Sequence, residues 1–208
     1  LLGGADDDVT EGFFKTHNAN GTEVGGTTCA TDPAGNVYIL GRSPSFDFPR
    51  TRGVFGESFI SGNNFMTVTK ISADGSAILY STHLRNGGTV SGSGIAVDPR
   101  GNAYITGVAS AVYFINGTPP DPVEPNAVTG VGSIPLQDPI RAAYTQPATP
   151  ETRTNDGFFL ILNADATGLL RGTYVGGILD EGVFAPYVDN LGDVWVYGWV
   201  DTWRRYRV

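Results

Sequence analysis

The stretch Ile95-Ala96-Val97-Asp98-Pro99-Arg100-Gly101-Asn102-Ala103-Tyr104-Ile105-Thr106-Gly107 reads as two short strands around a tight turn. Proline presets φ at the second turn position, and glycine two residues later accepts the positive φ that such a hairpin needs. Ile95 and Val97 fall on one strand face before the turn, and β-forming residues follow it. The same phrase occurs as Cys29-Ala30-Thr31-Asp32-Pro33-Ala34-Gly35-Asn36-Val37-Tyr38-Ile39-Leu40-Gly41. A more worn copy runs Pro186-Tyr187-Val188-Asp189-Asn190-Leu191-Gly192-Asp193-Val194-Trp195-Val196-Tyr197-Gly198. Its aspartates Asp32, Asp98 and Asp189 stand 66 and then 91 residues apart, so the units repeat with insertions of unequal length.

The second offset holds upstream of the phrase. It maps Ile71 to Leu162, Asp74 to Asp165, Leu79 to Leu170, Thr82 to Thr173 and Leu84 to Val175. Each unit reads as four short strands. Phe65 to Ile71 is followed by an Ala73-Asp74-Gly75-Ser76 turn and a strand from Ala77 to Leu84; after a Gly/Ser loop, Gly94 to Asp98 and Ala103 to Gly107 close the unit. Four strands in about 44 residues is the size of a propeller blade. The repeated positions have structural roles in this reading. Cys29 is a small core residue, and Tyr38, Tyr104 and Trp195 pack between blades. Gly41, Gly107 and Gly198 end strands where a bend or a close approach needs no side chain. Asp32, Asp98 and Asp189 cap their turns by accepting hydrogen bonds from backbone amides.

Composition narrows the rest. A chain of 208 residues is long enough for a real core, and a net charge of −8 gives no general attraction to nucleic acid or anionic membrane. The local exception is Trp203-Arg204-Arg205-Tyr206-Arg207, a short patch. One cysteine excludes an internal disulfide and a Cys-cluster metal site. No apolar run reaches membrane-spanning length and no signal-peptide pattern is present, so no membrane insertion is expected. Residue 1 is Leu rather than Met, which leads us to expect that it is not the start of the gene product.

Tyr80-Ser81-Thr82-His83-Leu84, Gly94-Ile95-Ala96-Val97-Asp98, Gly101-Asn102-Ala103-Tyr104-Ile105-Thr106-Gly107 and Phe46-Asp47-Phe48-Pro49 together resemble the SBBP repeat, a β-propeller repeat of bacterial secreted and surface proteins. Leu2-Gly3-Gly4 and Thr173-Tyr174-Val175-Gly176-Gly177 match its L-G-G element. The likeness covers most of residues 1–110 and 156–202 and departs at Pro186 and Asp193. It implies an all-β fold of about three propeller-type blades, the first incomplete. The organisation expected is a partial blade with an inserted hairpin at 1–49, a blade at 50–110, a Pro-rich insertion at 111–155, a blade at 156–202 and a tail at 203–208. A closed propeller needs at least about four blades. The chain is therefore expected to be a fragment of a larger propeller, or an open arc completed by other subunits, with 202–208 as a strand donated to a neighbour. The family is not defined by a catalytic constellation.

Function should then sit on what interrupts the scaffold. The insertion 111–155 holds eight of the thirteen prolines and is either a surface loop or an arm on a neighbouring protein. Its candidate partner-binding residues are Pro119, Pro120, Pro122, Ile134, Leu136 and Tyr144, with Trp203 and Tyr206 of the tail. Val9 to Gly25 reads as an extra hairpin. Asp6, Asp7, Asp8 and Glu11 are candidate calcium ligands, although their spacing is not that of a D-x-D-x-D-G loop and a solvated loop explains them as well. No other cofactor is implied. Neither His17 nor His83 has metal-ligand spacing, and neither Ser91 nor Ser93 lies in a nucleophile elbow. The expected role is non-enzymatic: an extracellular or cell-surface module for protein–protein interaction, with other subunits or its own copies as partners. The alternatives are a carbohydrate-binding or carbohydrate-active propeller, and an accessory subunit of a larger complex.

Overall fold

The computed structural model describes residues 9–10, 16–17, 23–24, 28–43, 47–57, 65–84, 89–110, 134–140, 155–177, 181–189 and 191–200. These residues are all-β, without helix. The strands are β1 (Val9–Thr10), β2 (Thr16–His17), β3 (Glu23–Val24), β4 (Cys29–Thr31), β5 (Val37–Ser43), β6 (Phe65–Ile71), β7 (Ile78–Leu84), β8 (Thr89–Val97), β9 (Ala103–Ser110), β10 (Asn155–Leu162), β11 (Leu169–Val175), β12 (Glu181–Val188) and β13 (Val194–Val200).

Antiparallel pairing gathers them into three main sheets. The first runs β4-β5-β6-β7, with β1 continuing the line of β4 along β5, where Val9 lies opposite Arg42 and Cys29 opposite Ile39. The second runs β8-β9-β10-β11, and the third is the pair β12-β13. The expected extra hairpin is present as β2-β3. The phase of the sheets differs from that of the sequence unit. Each repeated phrase opens a sheet, so the strands read together across 65–107 divide: β6 and β7 close the first sheet, while β8 and β9 open the second. The first sheet thus takes its strands from either side of the 44–64 connection, with β4 and β1 both lying along one edge of β5. Gly92-Ser93-Gly94 is also not loop but the interior of β8, with a bulge between Gly92 and Gly94.

The sheets stack in chain order, and strand alternation decides what meets. Tyr38, Leu40, Met66, Val68, Tyr80 and Leu84 of the first sheet form one buried cluster with Ile95, Ala103, Ile105, Phe158, Leu160 and Leu162 of the second. The larger aliphatic, Phe and Met side chains among them each contribute about 1.5–3 kcal/mol through burial. The approach is close: a Cβ on Gly92 would lie 2.7 Å from Leu40 Cδ2, so a larger residue in β8 would push the sheets apart. Gly107 and Gly198 lie inside β9 and β13 rather than at their ends, but the close approach expected of them holds; a Cβ on Gly107 would sit 2.5 Å from the Phe158 ring.

The connections after β5 and β9 return to cover the outer edges. Thr51 N–H donates to Ser81 O at 3.0 Å on β7, and Gln137 pairs with Gly172 on β11. Ser81 and Gly172 are related by the 91-residue offset, so two dissimilar insertions end in the same structural task.

Candidate functional site

The repeated aspartate builds the same turn three times. Asp98 Oδ1 accepts from the N–H of Arg100 and of Asn102, each at 2.9 Å, and Oδ2 accepts from Asn102 Nδ2 at 2.8 Å and the Tyr104 hydroxyl at 3.2 Å. Asp32 repeats this with Ala34 N–H, Asn36 N–H and Nδ2, and the Tyr38 hydroxyl. Asp189 keeps the N–H bonds from Leu191 and Asp193, and Trp195 Nε1 replaces the tyrosine hydroxyl at 3.3 Å. Gly35, Gly101 and Gly192 supply the positive φ, at 84°, 88° and 87°. The carboxylate oxygens thus hold their own loops, as the sequence implied. Among the described residues no group of three or more His, Cys, Asp or Glu is arranged to hold a metal.

The first turn has one partner more. Lys70 Nζ lies 3.1 Å from Asp32 Oδ2 and 4.7 Å above the Tyr38 ring, and the Tyr38 hydroxyl is also 3.0 Å from Gly101 O in the next sheet. Burial alone would raise the Asp32 pKa. The hydrogen bonds from Asn36 and Lys70, with the charge of Lys70, outweigh it and hold the carboxyl at about 2. Burial would lower Lys70, but its contacts with Tyr38 and Asp32 raise it above the usual lysine value. At Asp189 burial likewise pushes upward and is outweighed by the Trp195 indole and the turn amides, which lower the pKa.

Two further acids are buried. Asp156 and Glu181 converge on Gly176, whose added Cβ would be 3.1 Å from Glu181 Oε2 and 3.3 Å from Asp156 Oδ1. Both are buried, whereas paired-carboxylate hydrolysis requires two acids facing each other across an open cleft. His83 is buried beside Phe48, with ring centroids 5.7 Å apart.

The exposed feature is the third sheet. Tyr38 and Leu40 are fully buried under the second sheet, and Tyr104 is buried beside Phe159. Their equivalents on β13, Trp195 and Tyr197, are 65% and 55% exposed, flanked by exposed Tyr187, Leu191 and Val200. Trp195 therefore does not pack between blades as its position in the phrase implied, because no sheet lies over that side of β13 among the described residues. Cys29 is a parallel correction at the other end. It is exposed rather than a core residue, because its equivalent Ile95 is covered by the first sheet whereas no sheet among the described residues covers the Cys29 side of β4.

Of the candidate partner-binding residues, Ile134 is 6% exposed, part of the chain's own core, with its N–H 3.5 Å from the Tyr174 hydroxyl. It is thus a packing residue; Leu136, two residues on, is 43% exposed. Pro119, Pro120, Pro122, Tyr144, Trp203 and Tyr206 lie outside the described residues, as do Asp6, Asp7, Asp8 and Glu11. The sequence reading passed over Trp195 and Tyr197 as a surface. The signal was there: Val194-Trp195-Val196-Tyr197-Gly198-Trp199-Val200 carries no polar alternation at all, whereas a strand with one face in water should.

A comparison with curated proteins finds no match. The family model SBBP, described as a beta-propeller repeat, matches residues 85–113, which hold the β8-β9 hairpin that opens the second sheet. The chain carries an SBBP beta-propeller repeat at residues 85–113.

Proposed function

We propose that this protein is a non-enzymatic β-propeller repeat module, placed outside the cell or on its surface, whose third sheet is a protein–protein interface. One observation carries the reading: the sheet side that is fully buried at Tyr38 and Leu40 is more than half exposed at Trp195 and Tyr197. Soluble proteins rarely leave a contiguous aromatic face open unless something binds it. Aromatic residues are also enriched at interface centres. The carbohydrate-active alternative finds no support in Asp156 and Glu181, which are buried.

Site-specific photo-cross-linking in the native source tests this. A benzophenone side chain at position 195 or 197 should capture polypeptide, while the same group at Leu79, exposed on the first sheet, should not. Equal capture at both places, or a glycan-array signal lost on Trp195→Ala, would overturn the reading. Deleting all of 111–155 is not a clean test, because it removes Ile134 from the core and Gln137 from the edge of β11.

A further inference from the structure

We infer that residues 51–57 form a latch that closes the outer rim between the first and second sheets and opens independently of both. Phe55 carries the closure, because its backbone is bonded to each sheet. Its N–H donates to Ala166 O at 2.7 Å in the turn between β10 and β11, and its C=O accepts from the Thr82 hydroxyl on β7. Val54 is buried in the core cluster that also holds Ala166, and the Phe55 side chain packs against that cluster. The rest of the segment faces water, with Arg52, Gly53 and Glu57 exposed. Gly53 and Gly56 bracket the two anchoring residues at φ 76° and 84°, so the chain turns there without the strain another residue would bring. A segment held by so few bonds, with an exposed backbone, belongs at the low end of local stability.

The turn beneath the latch is matched to it. The 91-residue offset pairs Ala166 with Gly75, and both have positive φ, at 58° and 71°. Gly75 is exposed, with open space where a side chain would stand, whereas Ala166 is fully buried. Positive φ brings an alanine Cβ against its own backbone, and the enclosed methyl offsets that cost. The turn's own bonds, from Ala166 N–H to Asn163 O and from Thr167 N–H to Asp165 Oδ1, fix this conformation with the latch open or closed. The cover from Val54 and Phe55 exists only when it is closed. Ala166 therefore favours the closed latch through a turn that carries strain of its own. Opening uncovers Val54 and frees the β7 edge at Ser81, where Thr51 is bonded, so the latch controls access to that rim.

Limited trypsin digestion of the full 208-residue protein tests this, with each cut located by mass spectrometry at low conversion. The bond after Arg52 lies in the latch; the bond after Arg100, exposed in the β8-β9 turn, reports wider opening. Thr82→Val removes the hydroxyl that holds Phe55 O, and Ala166→Gly removes the methyl together with the strain. Each should speed cleavage after Arg52 by about threefold or more and leave cleavage after Arg100 unchanged. Ala166→Gly should do so without lowering the urea midpoint of global unfolding, which loss of a merely structural methyl would lower. Parallel acceleration at both bonds, or none after Arg52 in either variant, would overturn the inference. So would a midpoint for Ala166→Gly that falls in step with its faster cleavage.

Discussion

The hairpins β4-β5 and β12-β13 share a phrase, a turn and a capping aspartate, yet their outward-facing side chains meet opposite fates. Tyr38 and Leu40 disappear beneath β8, while Trp195 and Tyr197 stay in solvent. The turn needs only residues within a few positions of itself, so it forms in the same way wherever the phrase occurs. Burial needs a neighbouring sheet, which the phrase cannot supply. The largest expected effect follows from this contrast. Leu40→Ala should cost about 2–5 kcal/mol, because Leu40 is fully enclosed against Gly92 and the space cannot refill. Tyr197→Ala should cost less than about 1 kcal/mol, since it loses chiefly an exposed ring contact with Phe184 at 5.9 Å. Urea midpoints at constant slope measure both, and equal losses would mean that the third sheet is as enclosed as the first.

A smaller effect separates the second turn from the third. Asp98 is buried and receives four donors, so Asp98→Ala strands amides and a tyrosine hydroxyl away from water and should cost about 2–3 kcal/mol. Asp189→Ala exposes the corresponding donors of an open turn, where water replaces the carboxylate, and its midpoint shift should be clearly the smaller of the two. Hydrogen exchange at the Asn102 and Asp193 amides would check the mechanism: protection should be higher at Asn102 in the unaltered protein and should fall further there on substitution.

What was legible in the sequence was local. Asp-Pro-x-Gly-Asn with a following tyrosine encodes a hairpin because the aspartate's own bonds to it close within seven residues; the third copy keeps only the Asp and Gly and still forms the turn. The phase of the sheets was not legible, because a cyclic repeat has no intrinsic first strand. The pairings of Val37–Ser43 with Phe65–Ile71 and of Ala103–Ser110 with Asn155–Leu162, each across a connection whose sequence does not repeat, show that the phrase opens a sheet. The exposure of Cys29 and Trp195 was hidden for a related reason: equivalence by register carries conformation from unit to unit, whereas burial depends on which sheets lie next to each. Ile134 is the converse case. A Pro-rich insertion reads as surface, yet its return to the edge of β11 at Gln137 brings one aliphatic residue into the core.

The smallest effect concerns Lys70, which distinguishes the first turn from the second, where the 91-residue offset places Ile161. Lys70 and Asp32 have side chains only 12% and 7% exposed, so their pairing is less screened than an ordinary surface bridge. Lys70→Ile makes the first sheet imitate the second and should cost about 1 kcal/mol near neutral pH. The pH dependence has a definite sign. Asp32 is held at about 2, below its unfolded value, so its contribution is complete above about pH 4 and is lost as pH falls toward 2. The stability gap between the unaltered protein and Lys70→Ile should therefore be constant from pH 5 to 7 and close between about pH 4 and 2, as the carboxylate that Lys70 serves takes up its proton. Urea unfolding at 0.1 M salt across that range measures it. A gap that persists unchanged at pH 2 would show that Lys70 acts through its packing over the Tyr38 ring, and the two turns would then differ by a covered aromatic surface rather than by charge.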